Sequence, residues 1–229
     1  MLTETKNKIL IISPHPDDET LGCGGTILKH KDKGDEINWL IVTKMFEKHG
    51  WKKKEIFLRK KEIKNVSKQY KFKKVFELNL PASRLDEINI SILIKKFVNV
   101  IKLSRPNTIY LPFSSDVHTD HQITYKAAKS CLKWFRHPYI KNALMYETVS
   151  ETNFNFSTKN FFNPNRFIDI TNQFEKKIKI MQLYKSEIKN HPFPRSKESI
   201  KAISLLRGSQ SGYKFAEAFQ TIFDRSDLK

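Results

Sequence analysis

The sequence predicts an α/β fold: a Rossmann-like, mostly parallel sheet flanked by helices, with a metal site at the carboxyl ends of its strands. Three observations predict it. Short apolar runs alternate with longer helical stretches, the pattern of crossover connections between parallel strands. The runs are continuous, as at Ile9-Leu-Ile-Ile12 and Trp39-Leu-Ile-Val42, which suits strands covered on both faces. The two densest clusters of His and carboxylate residues, at 15–19 and 118–121, each follow such a run. In open parallel sheets, ligands bind outside the carboxyl ends of the strands.

Taken in order, residues 8–12 read as the first strand. The stretch SPHPDDETLGCGGTI at 13–27 then puts His15, Asp17, Asp18 and Glu19 at its end, ahead of three glycines and a helix opening at Thr26. Residues 35–43 read as the second strand, and 44–50 as a loop able to reach the site. Residues 52–70 read as a helix with an imperfect apolar stripe of Ile56, Leu58, Ile63 and Val66. Twelve Lys/Arg against two Glu between Lys48 and Lys74 make this the densest basic stretch, read as a solvated face. A third strand is expected at 75–78. A helix at 88–103 follows, burying Ile92, Leu93, Phe97, Val100 and Ile101. Strand 108–112 leads into His118-Thr-Asp-His121 and a helix at about 122–135. Residues 143–149 read as a strand in which Tyr146 is assigned to packing. Residues 150–167 have no helical period and read as a surface loop, with a lid or an oligomer contact as its functional alternatives. The last strand is expected at 166–170. Thr171 is expected to cap a helix reaching about 189, His191-Pro-Phe-Pro-Arg195 breaks it, and 196–206 is helical again. No boundary divides the chain, so residues 1–229 are read as one domain.

The two clusters carry the chemistry. An acidic helix N-terminus alone accounts for Asp18 and Glu19, but it requires neither His-Pro in front nor a second cluster on another strand end. His and carboxylate ligands suit zinc, and a catalytic zinc keeps three protein ligands and one open position. His15 and Asp18 lie three apart and reach one ion from a tight turn, and His121 supplies the third ligand. Asp17 is then free to take a proton from the attacking water. His118 faces the same pocket, suited as an imidazolium to stabilise an oxyanion or to protonate a leaving amine. Asp120 is placed to orient one of the histidines.

Composition narrows the setting. The chain has 229 residues and a net charge of +18, enough length for one domain with its own core. Its two cysteines, Cys23 and Cys131, fit no disulfide framework, which favours a reducing, cytoplasmic setting. Cys23 is read as packed rather than as a fourth ligand. The polar start MLTETKNK shows no signal peptide, and no run reaches the length of a membrane span. The positive charge is spread and lacks a recognised binding motif, so no nucleic acid is expected. It fits a Lys- and Asn-rich proteome or, next, an anionic substrate.

PHPDDE at 14–19 together with HTDH at 118–121 resembles the zinc-dependent LmbE/PIG-L deacetylases, which remove acetyl groups from N-acetylglucosamine-type sugars. The resemblance implies His15, Asp18 and His121 as zinc ligands, Asp17 as general base and His118 as electrostatic partner or acid. It extends to Arg59-Lys-Lys-Glu62, where the family's Arg-x-x-Glu arginine grips the sugar, and to a closing segment from Arg207-Gly to Ala216-Glu-Ala-Phe219. Residues 80–85 depart from it: many members have Pro-Asp-Gly here, whose Asp holds a sugar hydroxyl, and this chain has Ala82 and Ser83. Asp86 is a weak substitute. The implied substrate is a small N-acetyl sugar, nucleotide-linked and destined for surface polysaccharide, with a homo-oligomer compatible with the family. The alternatives are a zinc amidase of a non-sugar substrate and a basic nucleic-acid-binding protein with a non-catalytic metal site.

Overall fold

The computed structural model describes residues 6–225. Its seven strands are β1 (Lys8–Ser13), β2 (Glu36–Lys44), β3 (Lys74–Pro81), β4 (Thr108–Pro112), β5 (Asn142–Tyr146), β6 (Arg166–Asp169) and β7 (Ala216–Asp224). They form one sheet in the order β3-β2-β1-β4-β5-β7-β6. The first five are parallel, and β7 runs antiparallel to both β5 and β6. The expectation of a mostly parallel, helix-flanked α/β sheet therefore holds. The helices are α1 (Asp18–Asp32), α2 (Lys53–Tyr70), α3 (Ile90–Ser104), α4 (Thr119–Ser130), α5 (Phe174–Met181) and α6 (Lys197–Ser211). None is long and apolar enough to cross a membrane.

The continuous apolar runs divide between two cores. Ile9 and Ile11 of β1 join Trp39, Tyr70, Phe174, Tyr184 and Phe219 on one face. Leu10 and Ile12 join Leu40, Phe97, Ile101 and Leu111 on the other. All four β1 residues are fully buried, each contributing about 1.5–3 kcal/mol relative to exposure. The strand order reverses direction between β1 and β4, and the crevice of an open α/β sheet opens at such a switch point. Both His/Asp clusters lie there.

Helix α1 starts at Asp18, earlier than the glycines suggested, and carries them inside it. A Cβ on Gly22 would lie 2.3 Å from the Tyr146 ring, and one on Gly25 2.6 Å from Ile170. Close approach of the helix to its neighbours thus outweighs the roughly 1 kcal/mol helix penalty of each glycine. Glu217 of β7 reaches the middle of this helix. It accepts hydrogen bonds from the Gly25 amide (2.8 Å), the Thr26 amide (2.7 Å) and the Thr26 hydroxyl (2.6 Å). Lys177 Nζ donates to Glu217 (2.7 Å) and to the Leu21 carbonyl (2.8 Å). These polar groups are buried and mutually satisfied.

Several boundaries differ from the sequence reading. β6 is not the last strand, because β7 inserts between it and β5. α4 ends at Ser130 and α5 at Met181, and the residues after each form turns. Thr171 does not cap α5, whose N-cap is Gln173; its hydroxyl accepts from the Phe215 amide instead. Ser196 does cap α6, accepting from the Ser199 amide at 3.1 Å.

Candidate active site

The turn between β1 and α1 is unusual in its backbone. Asp17 has φ 135° and ψ −29°, a region that costs a non-glycine residue on the order of 1–3 kcal/mol and is found at functional sites. Its carbonyl accepts from the Thr20 (3.0 Å) and Leu21 (2.9 Å) amides, and its own amide donates to Glu19 Oε2 at 3.0 Å. Glu19 is wholly buried beneath, where it also accepts from Thr20 and Tyr184 hydroxyls. Burial pushes its carboxyl up to about 7. The second cluster sits where α4 begins. His118 is the N-cap, its Nδ1 accepting from the Asp120 amide at 3.0 Å, and His121 lies one turn further in.

The two turns bring His15, Asp18 and His121 together, with one potential ligand atom from each within 4.8 Å of the others. His121 Nε2 is buried without a hydrogen bond, 3.4 Å from Asp18 Oδ2. His15 Nδ1 lies 3.6 Å from the same oxygen. The far side of each imidazole is held by a carboxylate. Asp120 Oδ2 is 2.9 Å from His15 Nε2, and Asp116 Oδ2 is 2.8 Å from His121 Nδ1. Two imidazoles turned by carboxylates toward a shared third carboxylate match the surroundings of a divalent metal site. His121 Nε2 has no hydrogen-bond partner among the described residues and faces the Asp18 carboxylate, so once its proton is lost the donor set fits zinc. A second grouping, His15, His118 and Asp120, is also close. There Asp120 is already engaged by the Ser83 amide (2.6 Å) and the Leu85 amide (3.1 Å) as well as by His15.

Electrostatics follow the same pattern. Burial opposes charge on His15, but hydrogen bonds to Asp120 and Asp18 win and raise it to about 9. Against the same opposition, Asp18 and Asp116 raise His121, while His121 and His15 hold Asp18 well below the usual carboxylate range. Burial, then the Asp18 and Glu187 charges, raises Asp17. Burial and the neighbouring His15 and His121 lower His118 to about 4. With Nδ1 accepting from the Asp120 amide, Nε2 is the nitrogen of His118 left to carry a proton.

His15, Asp17, Asp18 and His118 line a cavity of about 260 Å³, which extends past Arg59 and Arg195 to Met45, Trp51 and Ile56; His121 is buried behind it. Arg59 lines this cavity, but both of its Nη groups are engaged by the protein. It bonds the Pro16 carbonyl, Glu187 and Ser186, with Glu62 3.3 Å from its Nε. Glu187 also pairs with Arg195 at 3.1 Å, and Arg195 Nη1 stands 3.5 Å from Asp17 Oδ2. A chain of ion pairs thus runs from the backbone before Asp17 to its side chain. Asp116, Glu187 and Arg195 had no assigned role in the sequence. Asp116 had a usable signal, a carboxylate five residues ahead of a ligand-type histidine. Cys23 is packed in the core, His191 is exposed, and Asp86 is exposed and absent from the cavity lining. Lys44, the last residue of β2, and Met45 of the loop that follows do reach the cavity, as expected of residues 44–50.

Comparison with known proteins gives a consistent picture. The sequence model of the family described as PIG-L, GlcNAc-PI de-N-acetylase, matches residues 10–132, which include both clusters. The diacetylchitobiose deacetylase of Thermococcus kodakarensis is 27% identical over 232 residues, covering 94% of this chain and 83% of that protein. Among solved structures, a conserved protein of Thermus thermophilus superposes with TM-score 0.77 at 21% identity over 97% of each chain. A 4-carboxy-2-hydroxymuconate hydratase of Pseudomonas putida superposes with TM-score 0.76 at 17% identity, covering 97% of this chain and 99% of that one. The same fold thus carries a hydratase, and a reaction has to be argued from the site rather than from the fold.

Proposed function

The chain belongs to the PIG-L family, and from that premise we propose that it is a zinc-dependent hydrolase that removes the acetyl group from a GlcNAc-type N-acetyl amino sugar. The observation that carries the reading is the orphaned Nε2 of buried His121, facing His15 and Asp18 with Asp17 alongside. A likeness to a diacetylchitobiose deacetylase supports the sugar amide as substrate.

His15, Asp18 and His121 would hold the ion. When bound, zinc polarises the acetamide carbonyl and acidifies a water. Asp17, whose affinity for protons is raised by burial, takes the proton of the attacking water. Its orientation is set by the strained turn and by Arg195. His118 donates its Nε2 proton in a hydrogen bond to the oxygen that gains charge as the tetrahedral carbon forms. Protonated Asp17 returns the proton to the departing nitrogen, leaving acetate and a free amine. Asp120 and Asp116 keep the two imidazoles aimed at the ion. We assign Arg59 to the wall of the sugar pocket, where it braces the turn before Asp17. A cytoplasmic setting and a role in surface-polysaccharide precursors remain part of this reading, on the motif resemblance and the two unpaired cysteines.

The test is acetate release by zinc-loaded protein from N-acetyl sugars. Asp17→Asn should lose turnover by about 100-fold or more and still bind zinc. A fully active Asp17→Asn protein would remove Asp17 from the role of base.

A further inference from the structure

The cavity continues beyond the ligand cluster to a mouth formed by Lys44, Trp51 and Lys60. Its cations differ from those deeper in. Arg59 and Arg195 are neutralised by Glu62, Glu187 and Asp17. Lys44 and Lys60 have no carboxylate partner among the described residues. Lys44 Nζ lies 5.6 Å from the Phe46 ring centroid and Lys48 Nζ 5.8 Å from the same ring, so one aromatic gathers two ammonium groups at this edge. The loop's own acid, Glu47, faces Lys53 at 3.8 Å. Two further carboxylates line the cavity: half-buried Glu151 lies beside the His121, Asp18 and His15 charges, so against Lys44 and Lys60 stands exposed Glu77. Trp51 is partly exposed, and its indole has neither a ring partner nor a hydrogen bond among the described residues. Across the cavity stand Ala82 and Ser83, so no carboxylate at those positions repels an anion.

Building on the deacetylase reading, we propose that this mouth is a subsite for a phosphate or diphosphate carried on the linkage carbon of the amino sugar. Lys44 and Lys60 take its oxygens, and Trp51 covers the group beyond. The whole cavity, mouth included, is about 260 Å³, smaller than the roughly 300–1,000 Å³ of pockets that enclose a drug-sized ligand. It admits one sugar ring with the group on its linkage carbon, and the remainder of a larger substrate extends past Trp51. Clustered cations without counter-ions also raise the local concentration of an anionic substrate.

Binding is best measured with deacetylated ligands, so that the result does not depend on turnover. Zinc-loaded protein is titrated calorimetrically with glucosamine, glucosamine 1-phosphate and UDP-glucosamine. The phosphorylated ligands should bind at least about tenfold more tightly than glucosamine at about 50 mM salt, with the advantage shrinking at about 500 mM. The double variant Lys44→Ala/Lys60→Ala should bring the ratio to within about twofold; both side chains reach solvent, and an unchanged melting temperature verifies its fold. Trp51→Ala separates the sources: selective loss for UDP-glucosamine assigns the nucleotide form, and equal retention of both assigns the simple phosphate. An advantage below tenfold overturns the proposal. So does an advantage that survives in the double variant, which would place the phosphate on the zinc. Acetate release, assayed separately, decides the deacetylase reading.

Discussion

Removing the Asp116 carboxylate should weaken metal binding without touching the metal's own ligands. Asp116 is fully buried. One of its oxygens holds His121 Nδ1 at 2.8 Å, and the other accepts from the Thr152 hydroxyl at 2.6 Å. Loss of such a ligand-orienting carboxylate weakens metal affinity about 10- to 100-fold, or about 1.4–2.8 kcal/mol. Asp116→Asn keeps an acceptor for the imidazole proton but loses the charge, so it belongs near the tenfold end. Asp116→Ala leaves His121 Nδ1 and the Thr152 hydroxyl unpaired and belongs near the hundredfold end. It should also lose about 1–3 kcal/mol of stability in the metal-free protein. Zinc affinity is measured by chelator competition on folded protein, alongside Asp86→Ala as an exposed carboxylate control. If both Asp116 variants hold zinc as tightly as the unmodified chain, His121 does not ligate through the nitrogen assigned here.

Three other outcomes are expected. His15 and His121 hold protons in the metal-free site, His15 up to about pH 9, and zinc must displace them; apparent affinity should climb at least about tenfold per pH unit from 6 toward 8, and a flat profile would refute this ligand set. Gly22→Ala forces a methyl into the Tyr146 ring and should cost about 1–3 kcal/mol in denaturant unfolding, whereas an unchanged midpoint would mean that the helix can shift away. Lys177→Met leaves Glu217 without its buried ion partner and should cost about 3–5 kcal/mol, or roughly 6–20 °C in melting temperature for a domain of this size; stability equal to the parent would show that the backbone amides alone satisfy the carboxylate.

What could be read in advance was local. β1, β2 and β4 are unbroken apolar runs, and the residues of the ligand cluster follow two of them directly, so position along the chain implied position in the sheet. β7 was not legible. Its first half, Ala216-Glu-Ala-Phe219, sets a buried glutamate in a central strand, and that choice makes sense only beside the α1 amides 191 residues away. The start of α1 was hidden by its glycines, whose fit depends on Tyr146 and Ile170 rather than on helix propensity. Arg59 was found through the family motif, but the carboxylate that engages it, Glu187, lies 128 residues on. Arg195 was missed for the same reason, since its relation to Asp17 spans 178 residues.

The bond from Thr26 to Glu217 also sets a clock on biosynthesis. Its two ends are separated by 191 residues, about 10–40 s of translation at roughly 5–20 residues per second. Throughout that interval the first helix has emerged, with its glycines and inward-facing amides, while the strand that satisfies them is still unmade. The nascent chain must carry an unfinished first helix until β7 is made. Completion of β7, rather than of the parallel strands, is the event that closes the middle of that helix.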